Sequence, residues 1–165
     1  MPAKYDVADL IYDTVRLYTM RLEGKPIEFE LQMDKNIPPE LIGDELRIKQ
    51  ILNSLLSNAT RYTKSGKVIL SVSAGFIGNS EVTLVIKVRD TGQGMTGEQL
   101  RKLFQKHTRS DAETTRINVK GRMKTTWNLI KMMNGTISVA SEPDKGTEFT
   151  VGLPQGFHDA DVRII

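Results

Sequence analysis

Between Ile48 and Val88 the apolar residues change period once, and that change calls for a helix laid against a sheet. Ile48, Ile51, Leu52, Leu55, Leu56, Ala59 and Tyr62 recur three and four apart, the stripe of an amphipathic helix over 44–62. Asp44 stands where an N-cap would take up a free first-turn N–H. Past the turn Lys64-Ser65-Gly66-Lys67, residues 68–74 and 82–88 alternate apolar and polar, as half-buried strands do. Gly75, Gly78 and Asn79 lie between them, so a hairpin is expected. A one-sided helix and a one-sided hairpin bury their apolar surfaces against each other.

The flanking segments extend this plan. Val7, Leu10, Ile11, Val15, Leu17 and Tyr18 predict a helix over 7–22, and Ile27-Glu28-Phe29-Glu30-Leu31 predicts a strand. Asn36-Ile37-Pro38-Pro39 breaks the chain. A short helix is expected over 96–105, a loop without clear period over 106–122, and a helix over 123–133 stopped by Asn134-Gly135. A last hairpin, 136–140 with 147–153, turns at Pro143-Asp144-Lys145-Gly146. The expected fold class is α+β: a two-layer sandwich of a mixed, mostly antiparallel sheet with helices on one face. Residues 1–154 are read as one domain, a size that supports a single core, and 155–165 as a linker stub.

Composition excludes several functions. There is no cysteine, hence no disulfide, thiolate metal site or cysteine nucleophile. The net charge of +3 comes from Lys and Arg scattered among nearly as many acids, so a nucleic-acid stripe is not expected. The longest strongly apolar run, Val82-Thr83-Leu84-Val85-Ile86, is too short to cross a bilayer, and the first residues carry acids rather than a signal core. The reading is a cytoplasmic fragment, making no membrane contact itself, excised from a parent that could be membrane-anchored.

Two clusters carry chemistry. Ser54, Asn58 and Arg61 share one face of the long helix at i, i+4 and i+7. An amide oxygen beside a cation suits a magnesium ion and phosphate, although an amphipathic helix also carries such residues on its surface. The second cluster is Asp90-Thr91-Gly92-Gln93-Gly94-Met95 at the end of an apolar strand. There Asp90 is expected to be at least partly buried and to need a partner, such as the exocyclic amine of a base. Gly92 and Gly94 would let the backbone turn sharply and approach a ligand. The plainer alternative is an Asp-capped turn between strand and helix.

Taken in order, these motifs resemble the catalytic, ATP-binding domain of sensor histidine kinases. That family shares the Bergerat nucleotide fold of the GHKL superfamily with DNA gyrase, MutL and chaperone ATPases. The similarity runs from about Tyr5 to Pro154. The stretch from Asp44 to Ile51-Leu52, continued by Leu55-Leu56-Ser57-Asn58-Ala59-Thr60-Arg61-Tyr62-Thr63, resembles the N box. It implies that Asn58 ligates Mg²⁺, Arg61 contacts phosphate and Tyr62 packs near adenine. The loop from Asp90 to Met95 resembles the first glycine box, with Asp90 reading the adenine amine and Gly92, Gly94 and Met95 lining the site. Leu103-Phe104 with Arg109-Ser110-Asp111 resembles the F box, and Gly146-Thr147-Glu148-Phe149 the terminal hairpin motif, whose Thr147 would lie near the base.

Three positions depart from the family pattern. Ser54 replaces the asparagine usual one turn before the metal ligand, and His107 stands where an aromatic follows Phe104. The second glycine box is the largest departure. Asn118-Val119-Lys120-Gly121-Arg122-Met123 retains only Gly121, Thr125 takes a usually apolar position, and Trp127 a usually polar one. In one reading Lys120, Arg122 and Lys124 draw in the triphosphate by charge. In the other, preferred because point charges do not replace shaped backbone donors, nucleotide binding is impaired.

The resemblance implies a protein-histidine kinase of two-component signalling, using ATP and Mg²⁺. The γ-phosphate would pass to a histidine on a dimerisation domain and then to a response-regulator receiver domain. Neither of the two histidines, His107 and His158, has the neighbours of a phosphoacceptor. The accepting domain is therefore expected outside this chain, and the isolated chain should yield no phosphohistidine in an autophosphorylation assay. The alternative function is a non-catalytic kinase-like module that docks through Trp127 and the basic stretch. An ATP-hydrolysing role is less favoured, because Glu45 lies too near the helix start to activate water.

Overall fold

The computed structural model describes residues 2–104 and 118–158, with the side chains of 101–104 and 118–122 outside the description. In order the elements are β1 (Ala3–Asp6), α1 (Val7–Arg21), β2 (Ile27–Met33), β3 (Glu40–Gly43), α2 (Glu45–Arg61), β4 (Gly66–Ile77), β5 (Glu81–Asp90), α3 (Gly97–Phe104), α4 (Asn118–Met132), β6 (Thr136–Glu142) and β7 (Gly146–Gly156). The strands form one seven-stranded sheet in the order β1-β3-β7-β5-β4-β2, with β6 beside the first part of β7. All pairs are antiparallel except β2 with β4. This is the expected α+β sandwich.

Sequence and packing agree closely along α2. Asp44 caps it by accepting from the Arg47 N–H at 3.2 Å. Ile48, Ile51, Leu52, Leu55, Leu56 and Ala59 are all buried. They lie over a sheet whose side chains are set by register. One cross-strand row reads Leu31, Leu70, Val88, Phe149, Val139 and belongs to the core. The next row toward the end of β5 reads Phe29, Val68, Asp90, Thr147, Ser141. The sheet's inner face therefore turns polar on one side, at Asp90, Thr147 and Ser141.

Three features differ from the sequence expectation. β1 and β3 pair as short strands that have too few residues to display a period. Helix α4 begins at Asn118, inside the stretch expected to be a loop. The inward positions Met123, Thr126 and Ile130 are spaced as a helix requires, but the buried Thr126 interrupts the apolar signal. A single interior Gly such as Gly121 costs a helix only about 1 kcal/mol. Finally, β7 runs to Gly156 and Phe157 is buried, so ordered packing continues past the expected boundary at 154. Gln155 explains the extension: it is buried and accepts a hydrogen bond from the Tyr5 hydroxyl at 2.8 Å, tying the last strand to the first.

Candidate functional site

Asp90 occupies the inward position after Val82, Leu84, Ile86 and Val88, where the alternation of β5 would place another apolar residue. It is only 3% exposed. Burial raises its proton affinity above that of an ordinary aspartate, and the N–H groups of Gly92 and Thr147 and the Thr63 hydroxyl pull the other way. The Gly92 N–H donates to Asp90 Oδ1 at 2.8 Å. The Asp-capped turn is thus real, yet it leaves most of the carboxylate's accepting capacity to other groups.

The two loop glycines are required by the protein itself. A β-carbon on Gly92 would fall on the Tyr62 carbonyl oxygen and 2.9 Å from Thr63 Oγ1. Gly94 has φ +69°, and its β-carbon would overlap the Glu142 carbonyl. The loop is pinned on both sides: the Gln93 N–H donates to Tyr62 O at 3.2 Å, and the Asp144 N–H to Gln93 O at 2.7 Å. The space expected for close approach of a ligand is taken up, at these two α-carbons, by the backbone of the α2 C-terminus and the β6–β7 hairpin.

Ser141 is a site residue that sequence reasoning missed. Its Oγ accepts from the Met95 N–H at 2.7 Å, donates to Gly146 O at 3.0 Å and lies 2.8 Å from Thr147 Oγ1. A serine hydroxyl has one proton, so when it serves Gly146 O, the Thr147 hydroxyl must donate to Ser141. That leaves the Thr147 hydroxyl with accepting capacity. No local pattern announces Ser141, because its partners lie on another loop and on the facing strand.

The C-terminal turn of α2 forms another side. Asn58 and Tyr62 are half-buried and Arg61 is exposed. Tyr62 is the C-cap residue, and its N–H donates to Asn58 O at 3.3 Å. Burial raises the Tyr62 phenol pKa, with a smaller opposing effect from Arg61. Among the described residues the Asn58 side chain and the Arg61 guanidinium form no hydrogen bond or salt bridge, so both are available. Ser54 is not: its hydroxyl bonds the Thr126 hydroxyl and joins α2 to α4. The departure at Ser54 thus has a packing role. No cluster of three His, Asp or Glu side chains suited to a metal occurs among the described residues, so Mg²⁺ would depend on Asn58, water and phosphate oxygens.

Helix α4 supplies the remaining wall. It runs antiparallel to α2, since its chain continues into β6, which reaches the site only at Ser141–Glu142. Counting equal rises from the Ser54–Thr126 contact, positions 122 and 119 come level with Asn58 and Arg61. The first turn of α4, with its N–H groups lacking intrahelical partners, therefore lies at this end of the molecule. Lys120, Gly121 and Arg122 belong to that turn by backbone, and Lys124 is exposed. Trp127 is half-buried, with Lys131 Nζ 5.7 Å from its ring centroid. Arg109, Ser110, Asp111 and His107 lie outside the described residues.

A strand-end carboxylate, a glycine loop pinned to a helix C-terminus, and a second helix starting beside them define a nucleotide-binding class of α+β domain. Residues 43–156 match the family model described as histidine kinase-, DNA gyrase B-, and HSP90-like ATPase, and the chain belongs to that family. Within that family, the relatives it matches over most of its own length are sensor kinases. The sensor histidine kinase GacS of Pseudomonas protegens is 31% identical over 161 residues, 95% of this chain and 18% of that protein. The autoinducer 2 sensor kinase/phosphatase LuxQ of Vibrio parahaemolyticus is 34% identical, covering 91% of this chain and 18% of its own length. The chain thus spans less than one fifth of these relatives. Full-length ShkA, solved in complex with AMPPNP, superimposes with TM-score 0.77 at 25% identity, over 98% of this chain and 33% of ShkA. The nucleotide-free catalytic domain of histidine kinase ThkA shares the fold, with TM-score 0.70 at 18% identity over 93% of this chain and 95% of that one. No helix among the described residues is long and apolar enough to cross a membrane.

Proposed function

We propose that this domain holds Mg²⁺-ATP and presents its γ-phosphate to a histidine on a dimerisation domain outside this chain, for onward transfer to a receiver domain. The observation that carries the reading is Asp90, a carboxylate kept in the sheet's inner face at a cost in burial. A carboxylate there accepts the exocyclic amine of adenine, and the pinned glycine loop holds its orientation. Bound ATP would supply the phosphoryl group. Asn58 would offer its amide oxygen to the magnesium ion, Arg61 would offset phosphate charge, and the unpaired N–H groups opening α4 would face phosphate. Lys120, Arg122 and Lys124 would add attraction without replacing that cradle. Tyr62 and Thr147 would flank the base. The contribution of these residues is position and charge, and none serves as a nucleophile.

The helical backbone at Asn118–Arg122 supports a working phosphate end over an impaired one, because the N–H groups of a helix's first turn lack intrahelical partners whichever side chains that turn carries. A purely docking, non-catalytic module is not favoured, since it would have no use for a buried aspartate. Calorimetric titration of the 165-residue chain with a Mg²⁺-ATP analogue tests the proposal: micromolar affinity is expected, and absence of binding would sink it. Asn58→Ala should weaken binding about tenfold in Mg²⁺ but little in EDTA, because only the metal-bridged part is lost. Equal losses in both conditions would remove Asn58 from the metal site.

A further inference from the structure

Among the described residues of α4, Met123, Thr126 and Ile130 are buried, one stripe at helical spacing with a hydroxyl at its centre. Thr126 is 2% exposed, and valine would give the stripe the same shape without a polar atom. Its hydroxyl bonds the Ser54 hydroxyl of α2. Ser54 is half-buried, and its neighbours Ile51 and Leu55 are buried. The two helices thus meet through apolar side chains and one hydroxyl–hydroxyl bond.

The two kinds of contact constrain the helices differently. Apolar burial is non-directional and holds two helices together without fixing how far one has slid or turned along the other. A hydroxyl pair bonds only within about 3 Å. Advancing a helix by one residue moves it about 1.5 Å and turns it about 100°, which takes one hydroxyl out of reach of the other. A polar pair in an apolar seam therefore selects one register, as a single buried asparagine does in a coiled coil.

The register chosen here bears on the phosphate end. Ser54 lies one turn before Asn58 on α2. Thr126 lies about two turns beyond the start of α4, whose first N–H groups lack intrahelical partners. A slide of α4 would carry those N–H groups past Asn58 and Arg61 while leaving the loop at Asp90 where it is. We propose that Ser54 and Thr126 are a positioning pair, which fixes the register of α4 against α2 and so aligns the first turn of α4 with Asn58. The inference rests on the ATP-binding reading above. It gives the pair a part in holding the triphosphate, which neither residue touches.

Four variants of the 165-residue chain test this: Ser54→Ala, Thr126→Val, the two combined, and Thr126→Ser. Affinities for Mg²⁺-ATP and for adenosine, which has the base and sugar without phosphates, are measured by displacement of a fluorescent ATP derivative. Each single variant should lose about five- to tenfold in Mg²⁺-ATP affinity, the change in competent population that one hydrogen bond controls. The double variant should lose no more than either single one, because the same bond is missing in all three. Adenosine affinity should not change, and Thr126→Ser should bind as wild type. The nucleotide-free double variant should melt within a few degrees of wild type, since both hydroxyls leave the seam together. Wild-type Mg²⁺-ATP affinity in the double variant would overturn the inference. So would additive losses, or an equal loss for adenosine, which would place the effect at the base or in the fold at large. Failure of the wild-type chain to bind ATP would overturn the ATP-binding reading and this one together, and shows before any variant is made.

Discussion

Asp90→Asn is expected to remove most ATP affinity from the 165-residue chain without lowering its thermal midpoint. The affinity loss should be about 10- to 150-fold, the worth of a charge-assisted hydrogen bond. The stability expectation follows from linkage. Burial raises the Asp90 pKa in the folded state, so the native protein binds that proton more tightly than the unfolded chain. The contribution of this group to stability is therefore most favourable at low pH, and falls as pH rises through the window between the ordinary aspartate value and the raised one. Asparagine has no charge to bury, and its amide oxygen can still accept the Gly92 N–H. The midpoint of Asp90→Asn relative to wild type should consequently be near zero at about pH 3–4 and increase toward neutrality. Differential scanning fluorimetry across pH, beside calorimetry with a Mg²⁺-ATP analogue, reads both effects. A variant that melts well below wild type at neutral pH would make Asp90 a structural cap instead of a ligand-reading group.

Gly94→Ala should be far more damaging to the fold. The residue has φ +69°, a conformation costing a non-glycine residue about 1–3 kcal/mol. In addition its β-carbon would overlap the Glu142 carbonyl, which is backbone and cannot swing aside. A total near 3 kcal/mol or more corresponds to a midpoint lower by roughly 6–12 °C for a domain of this size. Gly24→Ala is the control. That residue has a similar φ of +82°, but nothing lies within 4 Å of the added carbon. It should cost only the conformational part, for alanine near the lower end of that range at about 1 kcal/mol, or roughly 2–4 °C. If the two variants melt together, the contact between the glycine loop and the β6–β7 hairpin is not what makes Gly94 necessary.

Much of this architecture is legible locally. Helix α2 declares itself through a stripe from Ile48 to Ala59 and an N-cap at Asp44, and β4 and β5 through an alternation broken within 68–74 and 82–88 only at Ile69 and Val85. Asp90 stands out because it breaks that alternation at an inward position. Helix α4 is harder to read, because Thr126 occupies a core position while bonding Ser54 of α2, and a polar residue there hides the period. Strands β1 and β3 are hidden for another reason. Each is four residues long, and their order comes from pairing with each other and, through Ile42 and Gly156, with the end of β7.

By itself, the sequence determined the two-layer α+β plan, the long helix, the central hairpin, and the placing of Asp90 and Asn58 at element ends. Those features arise from periodicity and from motifs a few residues long, which short-range sterics and burial decide. Only the tertiary structure decided what meets Asp90. Thr63 comes from the end of α2, Thr147 from β7, and Ser141 ties the latter to Met95 across 46 positions. It also decided why Gly92 and Gly94 are glycines, since the atoms excluding a β-carbon belong to Tyr62 and Glu142. Such contacts depend on strand register and on where helices end in space, and a chain read one segment at a time has no term for either.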